Sequence, residues 1–268
     1  MSEFTEDQLQ RYSRHIILPE VGGKGQKKLL GAKVFIVGAG GLGCPVGYYL
    51  AAAGIGTIAM IDNDEVELSN LQRQIAHSVK TLGKPKVESA KNTFESLNPD
   101  VNVIALKQRI TKDNIMDLIK DYDIVVDGSD NFPTRYLVND ACVMAGKPLV
   151  SGAILKFEGQ VTTIVPGEGH CYRCLFEEMP PAGLVPSCQE AGVIGAITGV
   201  VGSLQAIEVA KLILGKGEVL KNTLLIYDAL KTTFRRVKVP KNPDCPVCGN
   251  NPTITELMDY DAGYCAVR

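Results

Sequence analysis

Apolar residues recur along the chain with two different periods, and the alternation between them predicts an α/β layer architecture. Lys33–Val37 (KVFIV) is a short β-branched run that closes on glycines, Gly38 to Gly43. An apolar helical stretch follows to about Ala53, where Gly54 stops it. Thr57–Ile61 (TIAMI) reads as a second buried strand ending at Asp62. From Pro85 to Leu97 the residues Val87, Ala90, Phe94 and Leu97 repeat at helical spacing, and Asn98-Pro99 ends the run. Val101–Leu106 alternates like a strand, Asn114–Lys120 reads as a short helix, and Asp123–Val126 as a buried strand opening into DGSDN. Arg135–Ala145 is helical, and Leu149 to Ser151 is the next strand. Strands separated by helices imply a mostly parallel sheet with helices on both faces. The rhythm changes after Gly152: Gln160–Val165, Thr223–Tyr227 and Phe234–Val239 look antiparallel, and between them lie a Pro/Gly-rich loop, Met179 to Gly192, and one long apolar helix.

The 268 residues carry 28 Lys+Arg against 30 Asp+Glu, a formal net charge of −2, and are 45% hydrophobic and 22% charged. A chain of this length buries about three quarters of its surface, and its apolar fraction excludes disorder as the main state. The balanced charge argues against a nucleic-acid or anionic-membrane partner, both of which require a basic surplus. The start, MSEFTEDQLQRYSRH, shows no apolar run behind a basic segment, so no signal peptide is expected and the cytoplasm is the expected location. Ala196 to Leu214 is apolar enough to raise a membrane span, but it contains Gln205, Glu208, Lys211 and two internal glycines, which favours a buried core helix. One elaborated domain is expected: a helical arm over 1–30, a nucleotide-binding core over 31–165 and a cysteine-bearing region over 166–268.

The glycine run has a physical job. In GAGGLG, Gly38 permits a tight turn, Gly40 lets backbone approach a phosphate, and Gly43 packs the following helix against the strand. Phosphate then sits on a helix N-terminus, where free N–H groups favour negative charge. Asp62 stands at the end of the second strand, where a carboxylate binds ribose hydroxyls. A Gly-rich turn without ligand is the bland alternative, and the motif alone does not choose between a dinucleotide and ATP. Further along come Asn70, Arg73 and Gln74 in SNLQRQ, Lys86 in LGKPKVESA, and Asp127 and Asp130 in DGSDN. Hydride transfer has little use for cations near phosphates, whereas a triphosphate needs them to offset charge built up during transfer. Asp130 follows a strand's carboxyl end, where a magnesium-binding carboxylate belongs. Taken singly, each of these residues reads as a solvated surface charge.

Taken together, GAGGLG, IDNDEVELSNLQRQ, GKPKVESA and DGSDN resemble the MoeB/ThiF family of adenylyltransferases, which are related to ubiquitin-activating enzymes. RYSRHI near the start and CQEAGVIG at Cys188 resemble that family too, so the likeness runs from Gln10 to Gly249. It implies a Rossmann-like fold and the ATP-dependent activation of the C-terminal glycine of a small ubiquitin-like sulfur-carrier protein ending in Gly-Gly. By the same resemblance Gly41 and Asp62 hold the nucleotide, Asn70, Arg73 and Lys86 contact its phosphates, and Asp130 positions magnesium. Arg14 is offered across a homodimer interface into the neighbour's site. Three rivals remain: an NAD(P)-dependent dehydrogenase, which leaves Arg73 and Lys86 without a job, a tRNA-modifying dehydratase of the same superfamily, and a non-catalytic scaffold. The carrier's pathway, whether molybdopterin, thiamin or cysteine synthesis, stays open. No rhodanese-like stretch follows Cys248, so the sulfur donor is expected to be another protein.

Eight cysteines in a chain without a visible secretory signal point to metal or thiol chemistry. Cys171 and Cys174 (CYRC) and Cys245 and Cys248 (CPVCG) are two CxxC knuckles, a spacing that gives zinc a closed four-sulfur site if the last strands return the tail to the middle of the chain. A redox pair or four packed thiols are the alternatives. Cys44 and Cys142 sit in apolar helices and read as small core residues. Cys265 lies in a tail outside the family pattern. Cys188 lies in a polar loop, where packing gives no reason for a thiol. By resemblance it marks a crossover loop whose cysteine is catalytic in some relatives and dispensable in others.

Overall fold

In the computed structural model, which describes residues 4–181 and 191–260, eight strands form one mixed sheet in the order β3-β2-β1-β4-β5-β6-β7-β8. The first five, β1 (Lys33–Val37), β2 (Thr57–Ile61), β3 (Asn102–Leu106), β4 (Ile124–Asp127) and β5 (Leu149–Leu155), pair in parallel. The last three, β6 (Glu158–Ile164), β7 (Thr223–Asp228) and β8 (Thr233–Lys238), continue antiparallel from β5. The chain moves outward from β1 through β2 to β3, then returns and moves the other way from β4. The reversal lies between β1 and β4, and in open parallel sheets the crevice at such a point takes the ligand.

Alternating side chains along each buried strand feed two cores. Val34, Ile36, Ile58, Met60, Ile124 and Val126 face one layer, which includes Leu50 of α4 (Gly43–Ala53), Phe94 of α5 (Lys86–Leu97) and Val201 of α9 (Gly195–Leu214). Phe35, Val37, Ala59, Ile61 and Val125 face the other, with Ile115 and Ile119 of α6 (Ile115–Ile119), Tyr136 of α7 (Phe132–Ala145) and Tyr172 of α8 (Tyr172–Leu175). Burial of strands on both faces is what the near-continuous apolar runs require. Two boundaries differ from the sequence expectation. Helix α7 begins a turn earlier than Arg135, because Asn131 caps it by accepting from the Thr134 N–H at 2.9 Å. Strand β5 runs on to Leu155, because β6 pairs with it along its whole length.

Helix α9 is long and apolar enough to cross a membrane by length and composition. Its polar side chains are instead spent on the sheet. Buried Gln205 donates to the Asp127 carbonyl at 2.9 Å, and buried Glu208 accepts from Thr163 Oγ1 at 2.6 Å and the Leu220 N–H at 2.7 Å. This matches the expected core helix.

The N-terminal helices α1 (Glu6–Arg11), α2 (Ser13–Ile16) and α3 (Gly22–Gly31) pack at the far end of α4. There Gly54 adopts φ +81°, and a Cβ at that position would meet the Tyr12 ring at 2.6 Å. Fully buried Asn98 ties the arm down: its Nδ2 donates to Tyr12 Oη at 2.8 Å and to the Ala51 carbonyl at 2.7 Å. Replacing Asn98 with Ala strands two buried acceptors and is expected to destabilise the fold by about 2 kcal/mol. Urea denaturation should show this as a lower midpoint at unchanged slope, and an unchanged midpoint would mean that the arm is anchored elsewhere.

Candidate active site

The loop after β1 is set by two glycines. Gly38 takes φ +92°, and a Cβ there would lie 3.0 Å from the Gly128 carbonyl, while one on Gly43 would lie 1.8 Å from the Gly38 carbonyl. Strand β1 pairs Val37 with Asp127 of β4, so the glycine loop and the DGSDN loop leave the sheet side by side. Asp62, at the end of β2, accepts the Ala39 N–H at 2.8 Å through one oxygen and the Asp64 N–H at 2.8 Å through the other. No side chain caps the N-terminus of α4. The Cys44 N–H is taken by the Gly40 carbonyl at 3.0 Å and Pro45 has none, so this end offers an anion at the sheet's reversal point its positive dipole rather than a full set of free N–H groups.

Two further segments lie near this loop. Asn70 ends a short 3-10 turn, Leu68–Asn70, and its Oδ1 accepts the Glu67 N–H at 3.0 Å. The Arg73 side chain runs beside Gly41, where its Cδ is 3.7 Å from a Cβ built there, and Nη1 donates to the Ser69 carbonyl at 3.2 Å. Gln74 is buried against Gly40, and its Oε1 has no hydrogen-bond partner among the described residues. An orphaned buried amide oxygen beside a phosphate-type loop fits a site built to receive a polar ligand. Lys86 opens α5, is 7% exposed, and places Nζ 2.7 Å from Asp64.

The two aspartates of DGSDN separate in role. Asp127 is 1% exposed, accepts the Ser129 N–H at 2.9 Å and Ser129 Oγ at 2.6 Å, and lies 3.7 Å from Arg135. It shapes the loop. Arg135 holds the same loop from the other side, donating to the Ser129 carbonyl at 2.5 Å and the Gly152 carbonyl at 2.7 Å. Asp130 is exposed and stands at the edge of a cavity of about 520 Å³ that extends past Phe132, Arg135 and Phe176 to Phe157 and Leu230. Its carboxylate, whose Oδ1 accepts from Asn131 Nδ2 at 3.4 Å, suits a cation held against phosphate oxygens.

Gly38, Gly40, Gly41, Gly43, Asp62, Arg73 and Gln74 are brought together by these contacts, with Asn70 in the same segment as Arg73 and Lys86 reached through Asp64. Asp130, in the loop beside Gly38, instead borders a cavity lined by none of the others. Arg14 does not join them within the chain. It is exposed on α2, at the Gly54 end of α4, and the eleven residues of α4 set that end about 16 Å from the glycine loop. Cys188 and Cys265 lie outside the described residues. Sequence reasoning missed three supports. Asp64 holds Lys86 and was announced only by the D-x-D spacing after β2; Arg135 and buried His77 carried no local signal.

The four knuckle cysteines converge, with their sulfurs all within 4.8 Å of one another. Cys171 Sγ is 3.5 Å from Cys245 Sγ and Cys174 Sγ is 3.4 Å from Cys248 Sγ. Four thiolates about 2.3 Å from one zinc ion stand about 3.8 Å apart, so this donor set fits a closed structural site. Hydrogen bonding among these thiols draws Cys174 and Cys245 down and pushes Cys171 and Cys248 up, so they share their protons as a group. The Asn242 N–H donates to Cys174 Sγ at 3.4 Å and adds outer support. Cys44 and Cys142 are fully buried core residues, and burial pushes the Cys44 thiol up to about 12.

The ThiF family profile matches residues 12–247. The chain is 52% identical over 270 residues to the sulfur carrier protein adenylyltransferase of Thermus thermophilus, covering 99% of each chain. It is 50% identical over 262 residues to the adenylyltransferase and sulfurtransferase MOCS3 of Sus scrofa, covering 97% of this chain but 57% of that protein. Among solved structures, MccB of E. coli with MccA-N7isoASN superposes with a TM-score of 0.79 at 28% identity, covering 90% of this chain and 75% of that one.

Metal analysis of the purified chain should return one zinc per chain. Stripping it with a chelator should lower the thermal midpoint, because the ion ties α8 to the segment after β8. A zinc-free chain of unchanged stability would reduce the cluster to packed thiols.

Proposed function

From the premise that the chain belongs to the ThiF family, we propose that it adenylates the C-terminal glycine of a small ubiquitin-like sulfur-carrier protein, consuming ATP. The observation that carries this reading is the glycine loop itself, with Arg73 beside Gly41, Asp62 on the Ala39 N–H, Lys86 tied to Asp62's neighbour Asp64, and the loop that carries Asp130 against Gly38. The carrier's carboxylate oxygen attacks the α-phosphorus, the bond from that phosphorus to the bridging oxygen breaks, and pyrophosphate leaves. A carboxylate is already a nucleophile, so no general base is required. The protein's contribution is placement and charge neutralisation.

In this reading Asp62 holds the ribose and the Gly40–Gly41 backbone approaches the phosphates. Asn70, Arg73, Gln74 and Lys86 line the phosphate chain, and Lys86 exchanges its ion pair with Asp64 for the nucleotide. A magnesium ion at Asp130 would offset charge on the departing pyrophosphate. The mostly apolar cavity running from Asp130 to Phe157 and Leu230 offers a path for the carrier's tail. A tail ending in glycines has no side chains to block passage between Phe132 and Phe176. The exposed position of Arg14, far from the crevice of its own chain, supports a homodimer in which it completes the partner's site. The described cysteines are all unbridged, which supports a reducing location such as the cytoplasm. An external protein supplies sulfur after adenylation, a step in which Cys188 takes part.

ATP–pyrophosphate exchange should require a carrier ending in Gly-Gly, and Lys86→Ala or Asp130→Ala should slow it by about a hundredfold or more. Near-normal exchange in both variants would mean the site is misassigned. Mixing Arg14→Ala chains with Lys86→Ala chains should restore part of the activity, because one hybrid site keeps both residues. Absence of complementation despite demonstrated subunit exchange would place Arg14 outside the neighbour's site.

A further inference from the structure

His77 is a buried titratable side chain to which the adenylation chemistry assigns no task. It stands at the junction of three segments that border the crevice. Its Nε2 lies 2.9 Å from the Ala39 carbonyl in the glycine loop, and its Nδ1 lies 3.0 Å from Ser89 Oγ on α5, one turn after Lys86. Its own backbone continues the SNLQRQ segment, with its N–H donating to the Gln74 carbonyl at 3.1 Å. Cys44 Sγ, at 3.8 Å from Nε2, also points at the Ala39 carbonyl, from 3.4 Å.

The partners fix the state of the ring. A carbonyl only accepts, so Nε2 carries the hydrogen, and Nδ1 then accepts from the Ser89 hydroxyl. Burial holds the imidazole below the ordinary histidine range, and the Lys86 ammonium acts in the same direction, against the opposing Asp62 carboxylate and the bond to Ala39. The ring is therefore neutral at neutral pH, with one tautomer.

We infer that His77 is a positioning residue for nucleotide binding, which aims the glycine loop at the phosphates by clamping the Ala39 carbonyl. Asp62 grips the N–H of Ala39 at 2.8 Å, and His77 grips its carbonyl. The residue is thus held from both ends. The Ala39–Gly40 peptide is planar and trans, so a carbonyl drawn toward His77 turns the Gly40 N–H to the opposite side. Gly40 is the loop position at which backbone meets phosphate. The same ring couples this loop to Ser89, and through α5 to Lys86, so the backbone donor and the cation keep a fixed relation. A misplacement of about an ångström at such a site costs up to about a hundredfold.

The inference rests on the adenylation reading, and one set of variants separates the two. His77→Phe keeps bulk and loses both hydrogen bonds. His77→Gln keeps a donor and an acceptor. Ser89→Ala removes only the hydroxyl that selects the tautomer. In carrier-dependent ATP–pyrophosphate exchange, His77→Phe should lower kcat/KM for ATP by roughly ten- to a hundredfold while KM for the carrier stays near wild type. His77→Gln should recover most of the loss. Should His77→Phe fail to fold, Ser89→Ala carries the test, with an expected rise of a few-fold in KM for ATP. Folded His77→Phe with wild-type kcat/KM for ATP, equal losses toward ATP and carrier without rescue by Gln, or an unchanged Ser89→Ala would each overturn the clamp. If the wild-type chain shows no exchange at all, the functional reading fails instead. Direct calorimetric titration of wild type and variants with ATP then decides the clamp by the same ratios.

Discussion

The pairing of Val37 with Asp127 ends two parallel strands at one level, and the geometry of the crevice descends from it. The direction of winding across the sheet reverses at this pair, so the helices that follow β1 and β4 part to opposite faces and two loops emerge there in contact. Gly38 and Gly128 are adjacent, and a Cβ at position 38 would already press on the Gly128 carbonyl. That closeness sets the α4 N-terminus beside the loop that carries Asp130. Under the proposed reading, opposite charges on the protein are thereby offered to two sides of one triphosphate. The balance suits a reaction in which negative charge shifts onto a leaving pyrophosphate and little covalent work falls to the protein.

A second constraint holds the other wall. Arg173 of the knuckle helix donates to both oxygens of Asp140 on α7, with Nε at 2.9 and 3.2 Å and Nη2 at 2.8 Å. Its guanidinium lies 4.7 Å over the Tyr136 ring and 5.6 Å from that of Tyr260, whose hydroxyl it also meets. Together with the four cysteines, this cluster binds the segment after β8 to the helix whose first residues follow Asp130. The metal-type site is thus a buttress for the cavity wall formed by Tyr172, Leu175 and Phe176.

Much of this was legible in the sequence where local physics decides. The strand at Lys33–Val37, the glycine loop, the stop at Gly54 and the apolar strand at Thr57–Ile61 follow from β-branching, turn chemistry and periodicity, and all appear in the fold. The convergence of the two CxxC pairs was legible only in part. Spacing within a pair predicts chelation, and the strands at Thr223–Tyr227 and Phe234–Val239 were legible, but the return of the tail depends on β7 pairing with β6, which their own residues do not reveal. The supports were hidden for the same reason. His77 meets Ala39 across 38 positions and Arg135 meets Gly152 across 17, so neither contact leaves a trace in its own neighbourhood. Asp127 and Asp130 look alike in sequence; one is buried among Ser129, Ser151 and Arg135 and the other faces the cavity, a difference made by the β4–β5 pairing.

The central claim is that the crevice directs a carboxylate to the α-phosphorus rather than the γ-phosphorus of ATP. Incubating the chain with a Gly-Gly-ended carrier and ATP labelled at either phosphorus tests it in one measurement. Label from the α-position should appear on the carrier and label from the γ-position in pyrophosphate. Release of γ-label as inorganic phosphate with ADP, and an unlabelled carrier, would contradict the account.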